Sequence, residues 1–405
     1  MTRILHRLYR LALGLVLNVV YAFASLVPRD PKRWVFGAWN GIKFIDNPKH
    51  VFLHVVEQLP TVRATWITKD RNLATELQEI GLPAVHAASL GGIWAQLRAG
   101  VVVFTHSVEW DLWAPLIANR VMRVQTWHGM PIKRIGYDDD KGFSAARARL
   151  NTRLFPYMDD RVDLVTAAGS ADQACYRSAF KVLPEAIVLT GYARNDALVR
   201  SMKGSTPDGR KQVVYMPTLR GPAGAEFTLF DATNFDFLTF DQECRRICID
   251  LWVKLHPVQR FRSADLIALS NCEHIHAWTD AGDIYESIGR FDILVTDFSG
   301  IYFDFLISGR PIVMAPLDMA GYLEFDRNLY YEYEEICPDP PCMTWSEIFA
   351  RLGELSIGED KPTQRYLELQ QRFHVHLDGK SAERVTASIL QLIDASQTKS
   401  VDVIA

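Results

Sequence analysis

The sequence predicts an α/β chain of two doubly wound, Rossmann-like domains facing one another across a cleft, with an apolar, membrane-associating helix ahead of them. Three observations lead there. At 405 residues the chain is too long for one ordinary core, and 48% hydrophobic with 23% charged residues is a globular composition. Beyond residue 33, short apolar runs alternate with longer amphipathic ones, the pattern of parallel βα units. The stretch SMKGSTPDGRKQ (201–212) is polar, carries Gly and Pro, lacks periodicity and reads as a linker. The expected organisation is a membrane-associating segment at 1–33, a first domain at 34–200, a linker at 201–212, a second domain at 213–380, and a helix with its tail at 381–405.

Taken in order, the chain opens with Arg3, Arg7 and Arg10 at helical spacing, an uncharged run at 11–27, and then Pro28, Arg29, Lys32 and Arg33. As a helix the uncharged run covers about 26 Å, short of a ~30 Å hydrocarbon core. A secretory signal, a spanning anchor and a helix lying on the bilayer surface all fit this pattern. Six cysteines are sparse for the length and lean away from export, so attachment to the cytoplasmic face of the cell membrane is expected. Their spacings lack the form of a strong metal motif, and no metal is expected. A net charge of −4 argues against a nucleic-acid partner. Strands are expected at 34–37, 64–67, 101–104, 123–126, 163–167 and 187–190, then at 213–216, 251–255, 293–296 and 312–315. Helices are expected at 47–58, 72–80, 301–308 and 381–395, with a frayed tail.

Candidate functional residues gather at strand ends, where open α/β sheets bind ligands. In VQTWHGMPIKR (124–134) an apolar run ends in His128 and Gly129, with Lys133 and Arg134 close behind. An imidazole there suits proton transfer, although a turn histidine that is merely hydrogen-bonded fits the pattern equally. In FDILVTDFSGIYFDFLISGRPIVMAP (291–316) a strand ends in Thr296 and Asp297, Ser299 stands at a helix N-cap position, and Gly300 lets a ligand approach the backbone. The free N–H groups of such a helix start suit phosphates. In LWVKLHPV (251–258), Lys254 and His256 share a strand face by the period of two and suit a diphosphate. VVYMPTLRG (213–221) adds Thr218 and Arg220, and GYARNDAL (191–198) adds Arg194, either a ligand contact or an interdomain salt-bridge partner. In YLEFDRNLYYEYEE (322–335), Glu324 and Asp326 are placed either to orient a hydroxylated ligand or to sit in a solvated loop. Cations, imidazoles and hydroxyls at four strand ends imply a polyanionic substrate. No Walker A, HExxH or GxSxG motif is present, and no cofactor is implied.

Read in order, DNPKHVF (46–52), TWHGMPIKRIG (126–136), GYARND (191–196), YMPTLR (215–220), VKLHP (253–257), VTDFSGIYFDF (295–305), RPIVM (310–314), YLEFDRNLYYEYE (322–334) and LDGKSAERV (377–385) resemble the CDP-glycerol glycerophosphotransferase family. These are the poly(glycerol phosphate) polymerases and primases of teichoic-acid synthesis, and the likeness covers roughly 34–390. The resemblance implies a GT-B-like enzyme that transfers glycerol phosphate from CDP-glycerol to a lipid-linked polyol-phosphate or glycan acceptor, releasing CMP. It implies His128 as catalytic base, His256 on the donor side, and Thr296, Asp297 and Ser299 as the donor-phosphate segment. Lys133 and Arg220 are further candidates for phosphate contacts. Met130, Ala193, Leu219 and Gly300 stand where the family usually has Thr, Pro, an aromatic and Ser. A CDP-ribitol donor, a capsular product, a nucleotide-sugar glycosyltransferase and a homo-oligomer are all compatible with these residues.

Overall fold

The computed structural model describes residues 2–118, 120–139, 145–202, 209–222, 224–280, 282–319, 329–358 and 361–402. Strands β1 (Asp30–Phe36), β2 (Arg63–Thr68), β3 (Ala84–His86), β4 (Ala99–Phe104), β5 (Met122–Gln125), β6 (Leu164–Ala167) and β7 (Ile187–Leu189) form one sheet. Its order is β3-β2-β1-β4-β5-β6-β7. Strands β8 (Lys211–Met216), β9 (Ile249–Val253), β10 (Ile275–Ala277), β11 (Ile293–Thr296) and β12 (Ile312–Met314) form a second sheet, ordered β10-β9-β8-β11-β12. Every pairing is parallel. Both sheets reverse direction of winding beside their first strand, between β1 and β4 and between β8 and β11, which is the switch point where doubly wound sheets bind ligands. Continuous apolar runs such as Val101–Phe104 make this possible, because a parallel strand is covered on both faces.

Two compact units result. The first comprises Met1–His128, Gly136–Asp196 and Lys380–Ala405, the second Gly129–Ile135 and Ala197–Gly379. The chain thus passes from one to the other at Asp196, ahead of the expected 201–212 linker, of which 203–208 lie outside the described residues. The C-terminal helix Ser381–Asp402 belongs to the first unit and runs past the expected end at 395. Its Ala382, Val385 and Ile389 enter the same core as Trp34, Phe36 and Val101. Asp196 fixes its start, each carboxylate oxygen taking one backbone N–H, from Ser381 and Ala382, at 2.8 Å. These satisfy two of the donors that any helix start leaves unpaired.

The N-terminal helix Thr2–Leu26 also packs on the first unit. Tyr21 and Ala24 join the core around Val35 and Val102, and Gly14 lies so close to the Phe155 ring that a Cβ would sit 2.3 Å from it. Arg29 pins the exit of this helix by donating to the carbonyls of Ala24, Gln96, Leu97 and Leu116. No helix among the described residues is long and apolar enough to cross a membrane.

Replacing Asp196 by Ala leaves two buried helix-start N–H groups unpaired. The expected loss is about 2–4 kcal/mol, read as a lower urea midpoint in the unfolding of the first unit.

Candidate active site

In the first unit, the ends of β1, β4 and β5 bring together Trp39, His106 and His128 at the switch point. The turn that carries His128 is held at three successive carbonyls. Asn47 Nδ2 donates to the oxygens of Thr126 (3.0 Å) and Trp127 (3.1 Å), and Arg194 donates to that of His128 (2.8 Å). Asn47 Oδ1 in turn accepts the Arg194 backbone N–H at 3.1 Å. The Arg194 guanidinium is paired at 3.0 Å with buried Asp46, whose other oxygen accepts the Trp39 indole N–H at 2.9 Å. The ion pair of Arg194 thus lies within this unit and is not the interdomain salt bridge expected from the sequence.

This scaffold holds an unusual backbone. Trp127 has φ +50°, Asp46 +71° and Trp39 +48°, values that L side chains with a Cβ rarely adopt. Gly129, at φ +106°, closes the turn where no other residue fits without strain. Strain of this kind persists only where the surroundings over-determine it. The His128 ring stacks on Trp127 (centroids 4.1 Å apart) and on His106 (4.7 Å). Its Nδ1 is buried without a hydrogen-bond partner. Burial, then His106 and Arg194, pull its pKa down to about 3, with Asp46 and Asp111 opposing. The imidazole is therefore neutral at physiological pH, with a lone pair able to accept a proton.

In the second unit, the switch point is organised by Asp297, fully buried just past β11. Its Oδ1 accepts the Thr218 backbone N–H (2.8 Å), the Thr218 hydroxyl (2.5 Å) and its neighbour Phe298's N–H (2.6 Å); its Oδ2 accepts from Arg220 (2.8 Å). Arg220 is also gripped by Asp318 through two 2.6 Å bonds. Burial alone would lower the Arg220 pKa, but the bonds and charges of Asp318 and Asp297 carry it upward. Thr218, Arg220 and Asp297 are thus brought together at the ends of β8 and β11.

Other expectations need correction. Ser299 does not cap the helix after β11: the cap position of Ile301–Phe305 is Gly300, no side chain bonds there, and the chain continues as a 3-10 turn over Leu306–Ser308. Gly300 itself is in helical geometry, and Ser299 meets this helix start through its carbonyl, which accepts the Tyr302 N–H at 3.2 Å. Thr296 is buried, and its hydroxyl donates to the Met216 carbonyl at 2.6 Å. Strand β9 ends at Val253, so the alternation expected to place Lys254 and His256 on one face stops before either. Lys254 is buried, donates to the Asp280 carbonyl and lies 4.9 Å over the Trp278 ring, its pKa lowered by burial against the pull of Asp280. His256 is half-buried, and its Nδ1 faces the Val258 N–H at 3.4 Å. Lys133 is half-exposed and bridges to Leu329 within the second unit, and Arg134 beside it is exposed. Glu324 and Asp326 lie outside the described residues. Among the described residues, no group of three or more His, Cys, Asp or Glu is placed to hold a metal ion.

Asn47, His106, Asp111 and Trp39 escaped sequence reasoning as functional residues. Asn47 sits in the DNPKHVF stretch, but nothing in its local pattern shows that it reaches β5.

Two parallel sheets of Rossmann order, each with polar side chains at its switch point, define a doubly wound α/β protein. Within that class, the model of the CDP-glycerol:poly(glycerophosphate) glycerophosphotransferase family matches residues 19–391, and the chain belongs to this family. It is 22% identical to the teichoic acid poly(glycerol phosphate) polymerase of Bacillus subtilis, over 92% of this chain and 50% of that protein. It thus spans half the length of that relative. It is 26% identical to the teichoic acid glycerol-phosphate transferase of Staphylococcus aureus, over 93% of this chain and 98% of that protein. The solved structure of the wall teichoic acid polymerase TagF matches with a TM-score of 0.73 at 20% identity, covering 98% of this chain and 99% of that one. A putative UDP-N-acetylglucosamine 2-epimerase from Listeria monocytogenes shares the fold more distantly, with a TM-score of 0.54 at 14% identity over 90% of this chain and 97% of that one.

The low pKa of His128 has a thermodynamic consequence. The unfolded chain, with an ordinary value near 6.5, takes up the proton first on acidification. The stability due to this group is therefore complete above about pH 6.5 and drains away as pH falls toward about 3. Urea midpoints measured at stepped pH are expected to fall less steeply with acid in His128→Gln than in the wild type.

Proposed function

We propose that this chain transfers glycerol phosphate from CDP-glycerol to a hydroxyl of a membrane-linked acceptor and releases CMP, in the making of a teichoic-acid-like polyol-phosphate polymer. The observation that carries the reading is the held turn at β5. A neutral imidazole stands at a switch point on a backbone fixed at three carbonyls, in a chain of the glycerophosphotransferase family. The acceptor oxygen attacks the β-phosphorus of the donor in line. His128 takes the hydroxyl proton as the new O–P bond forms. The bond from that phosphorus to the bridging oxygen breaks, and CMP leaves with the electron pair. Acid–base help of this kind is worth about 10²–10⁴-fold. The charge that gathers on the diphosphate is assigned to His256 and Arg220, with Gly129 shaping the base's turn and Lys133 attracting an anionic acceptor.

The membrane reading takes a particular form. The helix Thr2–Leu26 lies along the bilayer surface, with one face on the first unit and the other toward lipid. Val16, Val19 and Phe23, at helical spacing, are 60%, 56% and 67% exposed, and Tyr9 and Leu26 continue the stripe. The arginines Arg3, Arg7 and Arg10 add attraction to an anionic surface. The cytoplasmic face is the side on which CDP-glycerol would be met.

With CDP-glycerol and a glycerophosphate-primed lipid analogue, the wild type is expected to release CMP. His128→Ala and His256→Ala should each lower the rate by about 10²-fold or more. Faster turnover with CDP-ribitol or a nucleotide sugar in the same donor panel would replace this donor assignment, and full activity of both variants would end the mechanism. Separately, Val16→Glu with Phe23→Glu should release the protein from anionic lipid vesicles in a sedimentation assay.

A further inference from the structure

We propose that His106 is a positioning residue for the reaction, a second imidazole whose anchored ring fixes the His128 ring and shields it from water. The proposal rests on the reading of His128 as the base. Its argument is a hydrogen-bond count. Asp111 is fully buried and, as a carboxylate, only accepts. Its Oδ2 lies 2.9 Å from the Thr105 hydroxyl and also takes the backbone N–H groups of Thr105 (2.9 Å) and His106 (2.7 Å); its Oδ1 takes that of Asn40 (2.8 Å). The single hydroxyl proton of Thr105 therefore points at Asp111. Thr105 Oγ1 accepts the Trp39 backbone N–H at 3.2 Å, and it stands 2.9 Å from His106 Nδ1. With its proton committed, that oxygen can only accept, so Nδ1 of His106 carries hydrogen. The tautomer is set by a chain from Asp111 through Thr105, and Asp111 Oδ1 stands 3.6 Å from the same nitrogen.

This chain leaves Nε2 of a neutral His106 as an acceptor and fixes the plane of its ring. That ring lies 26° from parallel with His128, edge-on to Trp39 at 5.4 Å and near Trp110 at 6.5 Å. A stack made only for packing would not need a hydroxyl, itself held by a buried carboxylate, set against one ring nitrogen. The titratable and charged groups that face His128 are His106, Asp46, Arg194 and Asp111, and His106 and Arg194 are the two that disfavour a proton there. Removing His106 also admits water to the His128 ring. Both changes favour the imidazolium, so the sign of the effect is fixed: without His106, His128 takes up its proton at higher pH.

The test uses the full chain with His106→Phe, which keeps a stacked ring but loses the anchored nitrogen, and His106→Ala, which loses both. Both are expected to lower kcat by about 10–100-fold with KM for CDP-glycerol changed by less than about twofold, the signature of a misplaced reacting group. A second readout is independent of turnover. In histidine-labelled protein, NMR should find the His128 ring neutral from about pH 8 to about pH 5 in the wild type and taking up a proton within that window in His106→Ala. Wild-type kcat in His106→Phe, or an unmoved His128 titration in His106→Ala, would overturn the proposal. His128→Gln, assayed in parallel, separates the two readings. Full turnover in that variant removes the base and the role of His106 with it, whereas an inactive His128→Gln beside an unimpaired His106→Phe removes His106 alone.

Discussion

Taking Asp46 and Arg194 out of water costs more than their mutual attraction returns unless further hydrogen bonds complete both groups. Here they do. Asp46 also takes the Asn47 backbone N–H at 2.8 Å and the Trp39 indole, and Arg194 reaches on to the His128 carbonyl. Removing either partner would strand a buried charge, at a cost of about 3–5 kcal/mol. That resistance is what lets the neighbouring backbone keep conformations costing of order 1–3 kcal/mol each at Trp127, Asp46 and Trp39. The His128 turn is a stiff presentation of an imidazole, fixed before any ligand arrives. Such preorganisation is where a reaction with little covalent demand on the protein gains most.

The second unit solves a related problem differently. Its candidate cation, Arg220, is held between a fully buried carboxylate, Asp297, and a partly exposed one, Asp318. Asp297 has four donors around it and no freedom to leave. Asp318 sits in the turn after β12 with its side chain 28% exposed, so it is the partner an incoming phosphate would compete with. An arginine neutralised twice over is a weak anion site until one carboxylate gives way, and then it offers a two-pronged fork already aimed. Lys254 is held differently, its ammonium donating to the Asp280 carbonyl and lying over the Trp278 ring.

The parallel architecture was legible because its signal is local. Runs such as Trp34–Phe36 and Ile293–Thr296 are apolar, β-branched or aromatic, and bounded by turn residues. What escaped were β3 and β10, whose three residues include a histidine where the equally short β7 and β12 are wholly apolar, and the exact end of β9. That last error of two residues is small for a fold and large for a site, because it dissolved the shared face assigned to Lys254 and His256. The helix cap shows the same limit, since it falls on Gly300, one residue after the expected Ser299. His128 was visible from its strand-end context. Asn47, 79 residues away from the first carbonyl it holds, was not, because long-range hydrogen bonding leaves no periodic trace. His106 was hidden for a different reason: a lone histidine after an apolar run has many bland explanations, and only the carboxylate behind it distinguishes them.

A base with a pKa of about 3 is easily kept unprotonated but offers little driving force for removing an alcohol's proton. The same surroundings that make His128 neutral make it responsive. Burial is the largest contribution to its low value, and a buried group feels a nearby charge more strongly than an exposed one. A negative charge brought beside the ring favours the imidazolium and strengthens the base. On the proposed function, a substrate that carries phosphate therefore improves the catalyst that acts on it, whereas a neutral polyol leaves the imidazole weak. Discrimination against uncharged acceptors, water included, would then arise in the proton-transfer step itself, with no dedicated pocket needed to exclude them.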